Sequence, residues 1–335
     1  MHHLVITTIN APTPAVIELA SGATKNGWHL VVIGDRKSPP SFELEGADYY
    51  DLERQFATGF KFAEAVPTGH YARKNVGYLL AIANGAETIV ETDDDNRPLA
   101  NFWDERPLRQ HAPTLHQPGW VNIYRYFTDR PIWPRGLPLD EIQKPVLPKN
   151  SLASDFTECP VHQGLANGDP DVDAIYRLAM TLPVDFDDRG PIVTRGEAWC
   201  PFNSQNTRWF PEAYPLLYLP FHCSFRMTDI WRSFVVQRIL YGNGKGILFH
   251  DASVYQDRNE HNLMRDFGDE VVGYQNNREI RQRLLDLELG DRPETMASDL
   301  ELCYELLISM ELVGADERGL LKAWLHDYDT IVSQA

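Results

Sequence analysis

Cysteine is scarce and scattered in this 335-residue sequence. The four, Cys159, Cys200, Cys223 and Cys303, form no CxxC pair, which argues against both a zinc site and a disulfide framework and leaves reduced thiols as the reading. No stretch approaches the ~20 apolar residues that a membrane-crossing helix needs, so no span is expected. The opening Met-His-His-Leu-Val-Ile-Thr-Thr-Ile has no basic leader and too short an apolar run for a signal peptide. It reads as a buried first strand, with the cytoplasm as the default location. Basic residues are also few: 31 Lys and Arg stand against 48 Asp and Glu, a formal net charge of -17. Phosphate-backbone binding needs a basic surface, so nucleic acid is excluded as a partner. A small anion remains compatible if a metal ion bridges it to acidic residues. Internal repeats and low-complexity segments are lacking as well.

What is present is an ordered globular chain, 43% hydrophobic with 15 Phe, 14 Tyr and 8 Trp, long enough for a sizeable core. "LVITTI", "PAVIELASGATKNG" and "WHLVVIGD" read as strand, helix and strand, a βαβ opening whose helix ends at Gly27. "ADYYDL" follows a polar loop, and "YARKNVGYLLAIANGA" places Val76, Leu79, Leu80 and Ile82 on one helical face. "ETIVETDDD" then reads as a strand ending in Asp93, Asp94 and Asp95. Between 97 and 170 the chain is rich in proline and aromatics, with "GWVNIYRYF" as a further strand. From 271 to 335 the period is helical.

Three adjacent aspartates repel one another unless a cation sits among them, so the triplet is either a solvated turn or a cation site. Ligands of open α/β sheets bind beyond the carboxyl ends of strands, and this position favours the cation site. On a strand end Asp93 and Asp95 face one side, suited to one divalent ion and the diphosphate it carries, while Asp94 faces the other. Rival acidic signatures fail. A DxDxT phosphatase pattern is broken by Arg97, and no aspartate completes a DDxxD. "GNGKG" (242–246) is too short for a phosphate-binding Walker loop and reads as a turn.

The blocks "RKNVGYLLAIANGAETIVETDDD", "WPRGLPL", "GLANGDPDVDAIYRL", "PFNSQNT", "FRMTDIWRSFVVQRIL" and "VYQDRNEHNLMRDF", in order from about 73 to 267, resemble the STELLO glycosyltransferases. More distantly they resemble the reversibly glycosylated polypeptides. The resemblance implies a GT-A fold, an α/β Rossmann-like nucleotide-diphospho-sugar transferase. The catalytic domain would span 1–270, with a nucleotide-binding half (1–100) and an acceptor half (101–270), and a helical region would follow at 271–335. It also implies a nucleotide-sugar donor, of which a UDP-sugar is the first expectation, a carbohydrate or other hydroxyl acceptor, and Mn2+ or Mg2+ bound at a DxD motif. Synthesis of a surface polysaccharide or glycoconjugate is the implied setting. A nucleotide-sugar mutase, a nucleotidyltransferase and a non-catalytic nucleotide-sugar-binding scaffold are the alternatives. The mutase route is weakened because "PRGLPLDEIQK" keeps Arg135 and Gly136 but has no arginine shortly after them.

Residue roles follow from the resemblance. Thr7, Thr8, Asn10 and Asp35 fall where GT-A enzymes hold base and ribose, and Asp94 joins these nucleotide-binding residues. Arg73, Lys74 and Asn75 open the helix ahead of the triplet, where cations and a helix N-terminus neutralise diphosphate. Asp93, Asp95 and His261 would ligate the metal, with His250 as rival ligand. Arg258 would steady the departing diphosphate. Asp229 would be the general base, its bland alternative being a helix cap. Asp169, Asp171, Asp173, Asn203, Gln205 and Asn206 suit sugar hydroxyls, and Trp120, Trp133 and Trp209 offer stacking faces or core packing. The C-terminal helices would either cover the acceptor cleft or form a homodimer contact.

Overall fold

The computed structural model of the chain describes residues 1–257 and 262–334. Strands β1 (His2–Thr7), β2 (His29–Ile33), β3 (Ala47–Tyr50) and β4 (Thr88–Thr92) alternate with helices α1 (Pro14–Asn26), α2 (Leu52–Phe56), α3 (Lys61–Ala65) and α4 (Lys74–Ala83). The middle of the chain supplies β5 (Asn96–Pro98), β6 (Arg109–Leu115), β7 (Gly119–Trp120), β8 (Ser154–Glu158), β9 (Val161–Gly168), β10 (Ile192–Arg195), β11 (Ala198–Trp199), β12 (Asn206–Trp209) and β13 (Gly246–Gln256), with α5 (Ala174–Ala179) and α6 (Thr228–Gly242). Helices α7 (Leu263–Leu285), α8 (Met296–Ser309) and α9 (Glu317–Gln334) close the chain, α7 starting ahead of the expected 271.

One sheet runs in the order β3-β2-β1-β4-β12-β9-β13-β10-β6-β8, with β5 paired to β13. The β3-β2-β1-β4 half is parallel throughout, with helices against it, so its central strands are buried without alternation. Strand β12 runs antiparallel to both β4 and β9, which makes β9 and β13 point the same way as β1, β2 and β4. The carboxyl ends of all five therefore lie along one edge. This mixed α/β sheet with its helical C-terminal part agrees with the GT-A-like expectation.

Local chemistry explains the elements at that edge. Helix α1 has Pro14 at its first position, Thr13 accepting from Val16 N at 3.1 Å, and Gly27 at φ 69° ending it in the left-handed conformation. Helix α4 lies so close to the sheet that only glycine fits at 77: a Cβ there would stand 2.5 Å from Val5 Cγ1. "GWVNIYRYF" departs from expectation, with only Gly119 and Trp120 in a strand and Ile123–Tyr126 in a 3-10 turn. A short apolar run buried on all sides has the same pattern whether extended or coiled.

The C-terminal helices share the main core. Trp324 is fully buried with its ring centroid 6.2 Å from that of Phe62, and its indole N–H donates to Pro215 O at 3.0 Å. The Asp327 carboxylate accepts from Lys61 N and Phe62 N, two N–H groups in the first turn of α3 that have no partner within the helix. Glu317 accepts from Tyr218 Oη, Phe221 N and His222 N. Helix α9 thus grips the segment that leads into α6.

Two outcomes test this packing. Gly77→Ala should destabilise the fold by ~1–3 kcal/mol in urea unfolding, the overpacking outweighing the ~1 kcal/mol that alanine gains in a helix. His162, fully buried on β9, has no hydrogen-bond partner for either ring nitrogen among the described residues, and burial holds its pKa well below the ordinary value. The unfolded chain then binds a proton below about pH 6.5 that the folded chain refuses, so the stability present at neutral pH is lost as pH falls. Buried acids with raised pKa values, such as Asp173 at about 6, act in the opposite sense. The comparison isolates the histidine: the fall in Tm between about pH 7 and 5 should be shallower in His162→Leu than in wild type.

Candidate functional site

Two adjoining cavities open at the shared carboxyl edge of the strands. The larger, about 410 Å³, has walls from Thr7, Thr8, Asn10, Asp35, Arg36 and Tyr71. The smaller, about 260 Å³, takes Asp93, Asp94, Asp95, Arg135, Asp171 and Asp229. Thr7, Tyr71, Asp94 and Phe225 belong to both walls, so the two form one bent cleft. In the first, the Asp35 carboxylate accepts from Arg36 N at 2.6 Å, Gly69 N at 2.7 Å and His70 N at 3.1 Å, which draws the loop before α4 over the end of β2.

The aspartate triplet is a turn rather than a strand end, and this corrects the alternation argument. Strand β4 stops at Thr92, and Asn96 N donates to Asp93 O at 3.3 Å as the chain reverses into β5. All three aspartates line the smaller cavity, and Asp94 lines the larger as well. Asp94 accepts from Thr8 Oγ1 at 2.6 Å and Asn10 Nδ2 at 3.1 Å, and its carbonyl accepts from Thr13 Oγ1 at 2.5 Å. Asp95 meets Gln256 Nε2 at 3.2 Å. Asp93 pairs with Lys74 Nζ at 3.1 Å, and the same ammonium donates to Thr92 O and Ser204 O. Lys74 is fully buried, not on a solvated face. Surrounding protein raises the Asp93 pKa despite the lysine, which acts to lower it.

Across the cavity Arg135 is saturated. Its Nε and Nη2 grip Asp171 at 2.7 and 2.9 Å, its Nη1 and Nη2 grip Asp229 at 3.1 and 2.9 Å, and Nη1 also donates to Arg226 O. All five guanidinium N–H groups are used. Burial alone would raise the Asp229 pKa, but Arg135 wins and brings it down to about 2. So weak a base is poorly matched to taking a proton at neutral pH. In this geometry the carboxylate holds Arg135 in place and accepts from Ser204 N at 3.2 Å. The Tyr71 hydroxyl lies 3.4 Å from Asp229 Oδ1, and burial first and Asp229 second push its pKa well up, so it stays protonated. Beneath both halves, Glu91 on β4 and Arg232 on α6 meet at 2.6 Å in full burial.

Other residues singled out from the sequence lie elsewhere. Arg73 touches the larger cavity, but its guanidinium donates to Gln55 Oε1, Val66 O and Ala63 O. Asn75 exchanges both hydrogen bonds with the backbone of Leu219 at 2.8 and 2.9 Å, away from either cavity. His250 is buried within β13 with Nδ1 2.9 Å from Asp251 O. Asp169 pairs with Arg177, and Asp173 caps α5 by accepting from Tyr176 N. Asn203 donates to Asp171 and Gln205 to Gln256, both at the cavity, whereas Asn206 is spent on Leu165 O and Ser253. Trp209 and Trp133 are buried with their N–H groups on Glu91 and Asp173, and Trp120 packs against Phe234. Arg258 and His261 lie outside the described residues. Tyr71, Phe225, Ser204 and Gln256 were not singled out; all fall in or beside the recognisable blocks, but none has the residue type that signals a site on its own.

The donor chemistry of the smaller cavity is hard oxygen, from carboxylates and amides, which suits Mg2+ or Mn2+. Among the described residues, no group of three or more His, Cys, Asp or Glu side chains stands ready to hold an ion unaided. That fits a site in which one or two carboxylates are completed by substrate oxygens and water.

Comparison with known proteins adds a likeness to one family. Residues 226–334 match the model of the STELLO glycosyltransferases. Over 277 residues, 76% of this chain, the sequence is 29% identical to "Probable glycosyltransferase STELLO2" and 28% identical to "Probable glycosyltransferase STELLO1", both of Arabidopsis thaliana. The matched region covers 35% of each relative's length. Among the described residues no helix is long and apolar enough to cross a membrane.

Arg135→Ala would strand two carboxylates without their counter-charge, and should cost ~3–5 kcal/mol in guanidinium unfolding near neutral pH. With the Asp229 pKa depressed, the pair's contribution is fully present above about pH 4 and lost as pH falls toward about 2. The gap between variant and wild type should narrow over that window.

Proposed function

From its likeness to the STELLO glycosyltransferases, we propose that the chain moves a sugar from a nucleoside-diphosphate donor to a hydroxyl acceptor. The observation that carries this reading is the bent cleft: a larger cavity with Asp35 joins a smaller acidic one through a shared wall that contains Thr7 and Asp94. Base and ribose occupy the first, beside Thr7, Thr8, Asn10 and Asp35. The diphosphate lies at the junction, and the sugar and acceptor face the second. Asp93 and Asp95 would hold Mn2+ or Mg2+, whose charge stabilises the negative charge that develops on the departing diphosphate.

In the transfer, the bond from the anomeric carbon to the diphosphate oxygen breaks and a bond to the acceptor oxygen forms. The nucleoside diphosphate leaves and the hydroxyl proton passes to a base. Asp229 keeps its place on the cavity wall, but Arg135 makes it a positioning group before it is a base. A covalent sugar on Arg135 finds no support, because its five N–H groups are committed within the protein. The buried Arg73 steadies the loop under the nucleoside, and Lys74 fixes Asp93 rather than reaching for phosphate.

A thermal-shift panel of UDP-, GDP-, CDP- and dTDP-sugars, with Mn2+ and with EDTA, tests the reading in wild type and Asp95→Ala. A metal-dependent rise in Tm for one nucleotide, lost in the variant, is expected; at a ligand concentration 100 times Kd it corresponds to ~2.7 kcal/mol. No shift with any nucleotide contradicts it.

A further inference from the structure

The smaller cavity combines two features that the transfer reading leaves unexplained. The first is an exposed aromatic ring inside a cleft. Phe225 is 49% exposed, yet it forms part of both cavity walls. Edge contacts with Tyr71 and His70, both at 4.9 Å between centroids, brace the ring without covering it. An aromatic side chain left open where polar groups converge in a cleft is what a ligand pocket offers. Its negatively polarised face suits the C–H side of a sugar ring.

The second is an excess of negative charge built into the wall. Asp171 and Asp229 share the single positive charge of Arg135, and Asp94 is held by the neutral donors Thr8 and Asn10. Arg226, the other guanidinium on the wall, is paired with Glu270 at 2.8 Å. Among the described residues, therefore, both side-chain cations on this wall are already paired, and the divalent charge that the transferase reading adds at Asp93 and Asp95 is taken up by the diphosphate. The carboxylate oxygens are acceptors, which hydroxyl groups satisfy and another carboxylate repels.

Resting on the transferase reading, we propose that the smaller cavity receives an uncharged sugar ring laid against Phe225, with a hydroxyl donating to Asp171, and rejects sugars that carry a carboxylate. Phe225 is the positioning residue for the ring, and the Asp171–Arg135–Asp229 cluster sets the charge it tolerates.

Calorimetric affinities in the presence of Mn2+ test this, with UDP, UDP-glucose and UDP-glucuronate and with GDP, GDP-mannose and GDP-mannuronate. In the series that binds, the neutral sugar nucleotide should bind at least as tightly as the bare diphosphate, and the uronate about tenfold or more weaker than the neutral sugar, as expected for like charges at contact range. Phe225→Ala should lower the ratio of neutral-sugar to bare-diphosphate affinity and Phe225→Tyr should restore it, with an unchanged Tm excluding a folding defect. Asp171→Asn should narrow the gap between neutral and acidic sugars. Equal or tighter binding of the uronate, or a ratio unmoved in Phe225→Ala, overturns the proposal while the nucleotide site stands. Failure of both bare diphosphates to bind overturns the transferase reading and this inference together.

Discussion

Glu91 and Arg232 meet where no water reaches, and the positions of the site's two halves depend on that contact. The guanidinium is held at 2.6 and 3.2 Å by the carboxylate and lies over the Trp209 ring at 4.9 Å, while Tyr78 and Trp209 complete the carboxylate's hydrogen bonds. One charge pair thereby joins β4, α4, β12 and α6. Two residues beyond Glu91 begins the aspartate triplet, and one helical turn before Arg232 stands Asp229. Isolated charges at such depth are costly, so the pair depends on these partners; only Arg232 Nε, among the described residues, is left without one in this group. A core that needs four elements in one arrangement is a core that fixes the cleft between them.

From that strut outward, each charged group at the site is placed by another. Lys74 ties Asp93 to β4 and to the segment before β12, and Arg135 ties Asp171 to Asp229. The consequence is a rigid acidic cavity whose cations are already committed. Under the proposed transfer, such a surface would suit a divalent ion and hydroxyl groups and would leave the phosphate charge to be met by the metal and by groups nearer the nucleoside. The C-terminal helices contribute at one remove: Glu317 and Trp324 fix the 215–222 segment, and that segment delivers Phe225 and α6 to the cleft.

Much of the parallel half was legible in the sequence. The β1-α1-β2 opening, the Gly27 stop, helix α4 and the strand before the triplet are local patterns, set by apolar period and by caps that act within a few residues. The triplet announced itself by charge and by its place after a strand. Its facing does not follow from alternation, which holds only while the chain is extended, and here it turns at Asp93. Arg73, Lys74 and Asn75 were read as groups at a helix start that neutralise diphosphate, but long-range partners at Gln55, Ser204 and Leu219 take them inward. Partners 94 and 154 residues apart in the chain, Arg135 with Asp229 and Tyr71 with Phe225, leave no periodic trace in a single sequence. The likeness to the STELLO proteins identified those blocks without explaining them.

Hydrogen exchange mapped with and without UDP-glucose and Mn2+ tests the central claim, that one cleft at the carboxyl edge of the sheet holds nucleoside and sugar end to end. Added protection should concentrate at residues 7–10, 34–37 and 69–71 around the larger cavity and at 93–96 and 225–229 around the smaller, where ligand contact closes local opening. Protection confined to other surfaces, or bound ligand with none at these segments, would contradict it.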